Sequence, residues 1–290
     1  MIKHSEAISA FLEKEIDPAF ARRARIILEN LDLKPGMRVL DVGCGRGFYE
    51  MAISNIFSGV KVVGVDLNEN YLSVGKNAVR DKNVTFLKAD ATKLPFKSGS
   101  FDRVICSEVL EHIPDDEGVL KEIRRVLKRG GKAIISVPNK NYPFFWDPLN
   151  YILEHFFHTH IPSHIWWLAG IWADHERLYT EEELLGKLGR VGGLGKSGFT
   201  IDKIWRSTAY CLPFSHFLLY GIGKNLVERG WVGKDINRFD FESPPSVLTK
   251  IIRFPFMLFD KLNSITTNEK ICQNIIVMLQ KSYDKKDIHQ

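Results

Sequence analysis

Five short apolar runs, each closed by Gly, Asp, Ser or Pro, constrain the fold of this chain more than any other feature. They are MRVLDVG (37–43), VKVVGVD (60–66), VTFLKAD (84–90), FDRVICS (101–107) and KAIISVP (132–138). Segments of helical length lie between them, such as Phe48–Phe57, Tyr71–Val79 and Asp115–Lys128, the last with Gly130–Gly131 as its expected stop. Strands that alternate with helices give a parallel sheet covered on both faces, connected right-handedly. Ligands of such sheets sit at the carboxyl ends of the strands, so the residues that end each run are the candidate site. Upstream, residues 5–30 read as amphipathic helix broken near Pro18.

Gly43, Gly45 and Gly47 follow the first run and precede a helix. Glycines there permit a tight turn and let a ligand approach backbone N–H groups. The pattern is D-x-G-x-G-x-G from Asp41, and the third glycine falls one position too early for the dinucleotide fingerprint, which disfavours a nicotinamide cofactor. Asp66 ends the second run 19 residues after Gly47, where a carboxylate accepts from ribose hydroxyls. Asp41, Asp66 and Asp90 thus end strands on one edge, which suits a cationic ligand rich in donors.

Five ordered motifs, VLDVGCGRG (39–47), VVGVDLN (62–68), FLKADATKLPF (86–96), FDRVICSEVLEHIPD (101–115) and LKRGGKAIISVPN (127–139), resemble the class I S-adenosylmethionine-dependent methyltransferases. The branch they resemble acts on small molecules and includes quinone-biosynthesis enzymes. The resemblance implies an α/β fold, a Rossmann-like seven-stranded, mostly parallel sheet with helices on both faces. It implies that Asp41, Gly43, Cys44, Gly45 and Gly47 lie along the methionine part of S-adenosylmethionine. Asp66 would hold the ribose, Leu67 would pack on the adenine, Asp90 and Ala91 would meet its amino edge, and Ser107 would line the path of the methyl. Asp90 also reads as a plain turn residue and Ser107 as a cap.

His112, in SEVLEH, is the candidate general base for a phenolic or alcoholic acceptor, and reads equally as a structural residue before Pro114. His155, His158, His160, His164 and His175 crowd one segment, but their spacing matches no standard metal motif, and no metal is expected. The chain is expected to be one domain, 1–290, with a cofactor core at 30–139 and two insertions, 140–179 and 206–268. Residues 139–179 and 206–260 hold 21 of the 33 aromatics. They are expected to form a helical cap over a hydrophobic or aromatic small-molecule or lipid-linked acceptor, with Trp146, His160, Trp172, His175 and Tyr179 as candidate contacts. A small cap with its own core reads equally well.

Net charge is +5, and residues 201–290 carry 13 basic against 9 acidic side chains, so the excess is local and too mild for a nucleic-acid partner. No N/D-P-P-Y/F-type motif follows the fourth run, which disfavours methylation of protein or nucleic acid; the intact aspartates and glycines disfavour a silent fold. Scattered cysteines and the lack of a leader or an 18-residue apolar stretch point to an intracellular chain, cytoplasmic or peripheral at the inner face of a membrane. The stretch 244–263 reads either as an interfacial helix, with Val247, Leu248, Ile251, Ile252, Phe256 and Phe259 on one face and Lys250, Arg253 and Lys261 beside it, or as a buried cap helix.

Overall fold

The computed structural model describes residues 2–165, 168–192, 198–219, 247–264 and 270–282. Two helices, α1 (Ile2–Phe11) and α2 (Pro18–Asn30), precede the sheet. The expected break falls at residues 15–17, just before Pro18, which opens α2, and Asp17 caps it by accepting from the Ala19 N–H. Then β1 (Arg38–Val42), α3 (Phe48–Ile56), β2 (Lys61–Asp66), α4 (Glu69–Ala78), β3 (Val84–Lys88), β4 (Phe101–Ser107), α5 (Asp116–Val126) and β5 (Leu127–Pro138) follow in the expected alternation. After these come α6 (Pro148–Phe157), α7 (Glu181–Gly192), β6 (Phe199–Ser207), α8 (Val247–Asp260) and β7 (Asn274–Lys281).

The seven strands form one sheet in the order β3-β2-β1-β4-β5-β7-β6. All pairs are parallel except those of β7, which runs antiparallel between β5 and β6. Alternation along the strands divides two cores. Val104, Cys106, Ile135 and Val277 face α5 and α7, through Leu120, Ile123, Leu184 and Leu188. Ile105, Ile134, Ile276 and Met278 face α1, α2 and α3, through Ile8, Ile27, Leu28 and Ile53. Each such side chain contributes about 1.5–3 kcal/mol on burial.

Two boundaries differ from the sequence reading. α5 stops at Val126, and the strand begins at Leu127 instead of beyond Gly131. The two glycines lie inside β5, where Gly130 takes φ 70° and the pairing with β4 shifts register between Phe101 and Arg103. They bend a strand; they do not stop a helix. The second insertion starts after Ser207, because β6 pairs with β7 through that residue.

Residues 140–179 carry a small core of Tyr142, Ile171 and Leu178, flanked by Trp146, Tyr151 and Trp172. Its hub is polar: the Asn150 amide donates to Asp147 and the Ala169 carbonyl, while its oxygen accepts from the Ile161 N–H. Of the second insertion, 220–246 and 265–268 lie outside the described residues, as do Trp166 and Trp167 of the first.

Candidate active site

The loop after β1 hangs across the sheet edge. The N–H groups of Gly43 and Cys44 both donate to the Val65 carbonyl, and the Gly45 N–H donates to Asp66 Oδ2 at 2.9 Å. All three glycines have positive φ, yet they do different work. A Cβ on Gly43 would lie 2.4 Å from Val109 Cγ2, and one on Gly47 would lie 2.7 Å from the Phe86 ring. Those two serve packing. A Cβ on Gly45 would meet nothing within 4 Å, so that position alone borders space a ligand can fill.

Three carboxylates ring this loop. Asp41 is 2% exposed, and its Oδ2 has no hydrogen-bond partner among the described residues. Glu50, in the first turn of α3, is wholly buried with neither oxygen partnered, in room left by the missing side chain of Gly64. Asp66 is already engaged by the N–H groups of Gly45 and Asn68. Burial, then repulsion from Asp66, pushes Glu50 up to about 8. Burial, then Glu50 and Asp66, raises Asp41 well above the usual carboxylate range. Burial and the same three carboxylates raise the Cys44 thiol, so Cys44 is no nucleophile. Carboxyls whose ionisation is suppressed, with no cation among the described residues to offset it, are a receptacle for a positively charged ligand.

Leu67 is 61% exposed beside Asp66, open to a planar ring. Asp90 is exposed and accepts from the N–H and hydroxyl of Thr92, which hold its carboxyl below the usual range. Ala91 is buried in the main core, so only its backbone can meet a ligand. Ser107 lies at the end of β4, its hydroxyl 2.9 Å from Ser136 Oγ and 3.3 Å from Tyr49 OH.

That serine opens onto a network the sequence reading missed. Ser136 donates to Glu108 Oε1, the Asn274 amide donates to Glu108 Oε2, and Arg23 reaches both Asn274 and Glu108. Glu108 holds φ 57°, a left-handed conformation rare for its type. Members come from α2, α3, β4, β5 and β7, so no local pattern could have revealed them. Glu50 left one signal: a charge within the otherwise apolar FYEMAIS.

On the acceptor side the structure gathers some expected residues and disperses others. His112 Nδ1 lies 2.7 Å from the Asp174 carbonyl, and its ring sits 4.7 Å from that of His175. Burial, then the neighbouring His112 and His216, drops His175 to about 3, so it stays neutral at pH 7. Trp146 touches the ring of His216. His160 stacks on Trp172 at 4.0 Å, while the Trp172 indole donates to Glu154. Tyr179 is a correction: it is 1% exposed in the main core, its hydroxyl donating to Asp116, so its side chain is committed to packing. His155 stacks on Tyr151, away from His175.

A doubly wound sheet with antiparallel β7, a glycine loop after β1 and an acidic residue ending β2 define a class I S-adenosylmethionine-dependent methyltransferase fold. A family described as "Methyltransferase domain" matches residues 40–135. The chain is 42% identical over 123 residues to sterol 24-C-methyltransferase ERG6B of Gibberella zeae, covering 41% of this chain and 32% of that protein. It is 44% identical over 108 residues to demethylmenaquinone methyltransferase of Bacillus cereus, 36% of this chain and 46% of that one. The chain thus spans about a third to a half of the length of these curated relatives. An S-adenosylmethionine-dependent methyltransferase from Mesorhizobium loti shares the fold with TM-score 0.52 at 19% identity, over 90% of this chain and 97% of that one. Residues 40–135 thus match a methyltransferase-domain family, and the chain shares the fold of the S-adenosylmethionine-dependent methyltransferases.

Proposed function

We propose that the chain transfers a methyl group from S-adenosylmethionine to a hydrophobic or aromatic small-molecule or lipid-linked acceptor. The observation that carries this reading is the buried pair Asp41 and Glu50, with half-buried Asp66, around the open face of Gly45. The cofactor carries an ammonium and a sulfonium, so its charge would relieve the repulsion among these carboxylates. Its donor groups fit the orphaned Asp41 oxygen. When bound it supplies an electrophilic methyl; the chain's residues then orient and enclose the acceptor for in-line displacement.

Asp66 would hold the ribose, Leu67 would cover the adenine, and Ser107 with Tyr49 would line the methyl end. His112 handles the acceptor's proton: with Nδ1–H donating to Asp174, its Nε2 is left as a base. Trp146, His160, Trp172 and His175 of the first insertion, together with residues 208–219, supply the apolar wall. The curated relatives act on a sterol and a demethylmenaquinone by name, which supports an apolar acceptor. Calorimetry with S-adenosylmethionine tests the cofactor half. Binding at one equivalent is expected, weakened by Asp66→Ala; no heat with folded protein overturns the reading.

We further propose that the chain docks on a membrane surface. No described helix is long and apolar enough to cross a membrane. α8, however, exposes Val247, Ile251, Phe254 and Leu258 at successive turns, with Lys250 and Lys261 exposed at its borders. Phe256, expected on that face, instead turns inward and lines a cavity with Cys211 and Leu212. Co-sedimentation with anionic vesicles is expected at low salt and lost in Ile251→Glu/Phe254→Glu. Equal pelleting of parent and variant refutes the docking face.

A further inference from the structure

Glu111, His112 and His175 meet where the turn after β4 touches the first insertion. Each offers one ligand atom, and these atoms lie within 4.8 Å of one another. The Glu111 carboxylate is 0% exposed, and neither oxygen has a hydrogen-bond partner among the described residues. His112 Nε2 lies 3.9 Å from its Oε1, too long for a hydrogen bond. A carboxylate in that state must hold a proton or face a cation.

The imidazoles favour a cation. A carbonyl only accepts, so His112 Nδ1 carries the proton it shares with Asp174, and the lone pair is on Nε2 beside Glu111. The buried His175 Nδ1 has no partner among the described residues. Each ring therefore offers a bare nitrogen, and the ring of His112 is oriented by the Asp174 carbonyl at its other nitrogen. That is how proteins orient metal-bound histidines. The anchoring loop is itself fixed, since the Glu176 N–H donates to the Glu111 carbonyl at 2.8 Å.

We propose that Glu111, His112 and His175 hold a divalent transition-metal ion. Two imidazoles and one carboxylate suit zinc, cobalt or ferrous iron and disfavour magnesium or calcium, which take oxygen ligands. Bonds of about 2.0–2.2 Å require the three donors to close by roughly 1 Å, within reach of two ring rotations. Half-exposed His112 leaves one side of the ion open to water or to an acceptor oxygen. The sequence reading expected no metal, because it looked for ligands within the histidine cluster at 155–175. The partners of His175 instead lie 63 and 64 residues before it, at His112 and Glu111.

The inference bears on the proposed function without depending on it. A cation here would lower the acceptor's pKa, and His112 would then act as a ligand and not as a direct base. The test uses the full chain, stripped with a chelator and without S-adenosylmethionine, titrated with cobalt chloride. A visible d–d band saturating at one equivalent, bleached by one equivalent of zinc chloride and unmoved by excess magnesium, is expected. Glu111→Gln, His175→Gln and His112→Gln should each weaken cobalt binding at least 100-fold, while His155→Gln leaves it unchanged. Circular dichroism of each variant separates lost folding from lost ligation; His112, at the surface, tests the site even where Glu111→Gln fails to fold. A folded parent with no cobalt band, or with a band that His112→Gln and His175→Gln leave intact, overturns the proposal. Neither result touches the calorimetric test of cofactor binding.

Discussion

Glu50→Gln isolates the electrostatic cost of the glycine loop. An ordinary glutamate titrates near 4.5, whereas buried Glu50 is pushed up to about 8. Between those values the folded chain holds a proton that the unfolded chain has released. Stability therefore falls as pH rises through that window, by up to about 1.4 kcal/mol per pH unit for one proton. From pH 5.5 to 7.5 the loss reaches roughly 2–3 kcal/mol, and the raised Asp41 acts in the same direction. Glutamine keeps the shape and cannot ionise. Urea unfolding at pH 5.5, 6.5 and 7.5 should show a falling midpoint for the parent and a flatter profile for Glu50→Gln. A cationic ligand reverses the sign: it favours the ionised carboxylates, so its affinity should rise with pH in the same window and its binding should release protons. Parallel pH profiles for parent and variant would refute the reasoning, because they would mean that Glu50 titrates alike in both states.

Gly45→Ala should cost only about 1–2 kcal/mol of stability, for its left-handed φ, yet weaken S-adenosylmethionine by an order of magnitude or more. Gly43→Ala should add an overpacking penalty of about 1–3 kcal/mol against Val109. Denaturant melts and calorimetry on the pair would contradict the assignment if both behaved alike. Asp66→Ala, which strips the ribose of its acceptor, should cost about 1–3 kcal/mol of cofactor binding by calorimetry. Asp116 accepts from Tyr179 and pairs with Lys187 and Arg177, so Asp116→Ala should destabilise by about 3–5 kcal/mol. Its depressed pKa means that this support is present above the ordinary carboxylate range and is lost as pH falls through the folded value; acid titration of the melting temperature checks it.

The sheet was legible because its strands announce themselves: each run is short, β-branched and ends in a residue that turns the chain. The glycine loop was legible for the same local reason. Glycine periodicity could not say that Gly43 and Gly47 answer to Val109 and Phe86 while Gly45 answers to open space, since those partners are distant in the chain. Tyr179 misled because an aromatic in an aromatic-rich segment carries no mark of whether it faces a ligand or, as here, a buried aspartate. Arg23 and Asn274 were invisible, being 251 residues apart and joined only by the fold. Of the face expected on α8, Val247 and Ile251 are exposed, but Phe256 turns inward, and Phe254 and Leu258 continue the exposed side in its place.

Strand β7 sets the order in which this molecule can become competent. It slots between β5 and β6, and Asn274 at its start ties Glu108 into the network around Ser107. β6 has no partner in the sheet except β7, so it cannot dock when it first emerges from the ribosome. At 5–20 residues per second, on the order of ten seconds separates synthesis of β5 from that of β7. Throughout that interval the edge of β5 stays bare, a template for pairing with another nascent chain. The cofactor loop, built from β1 and β2, can close long before the reaction end has its last wall. A ribosome stalled before residue 274 would therefore present a chain able to capture its cofactor and unable to use it.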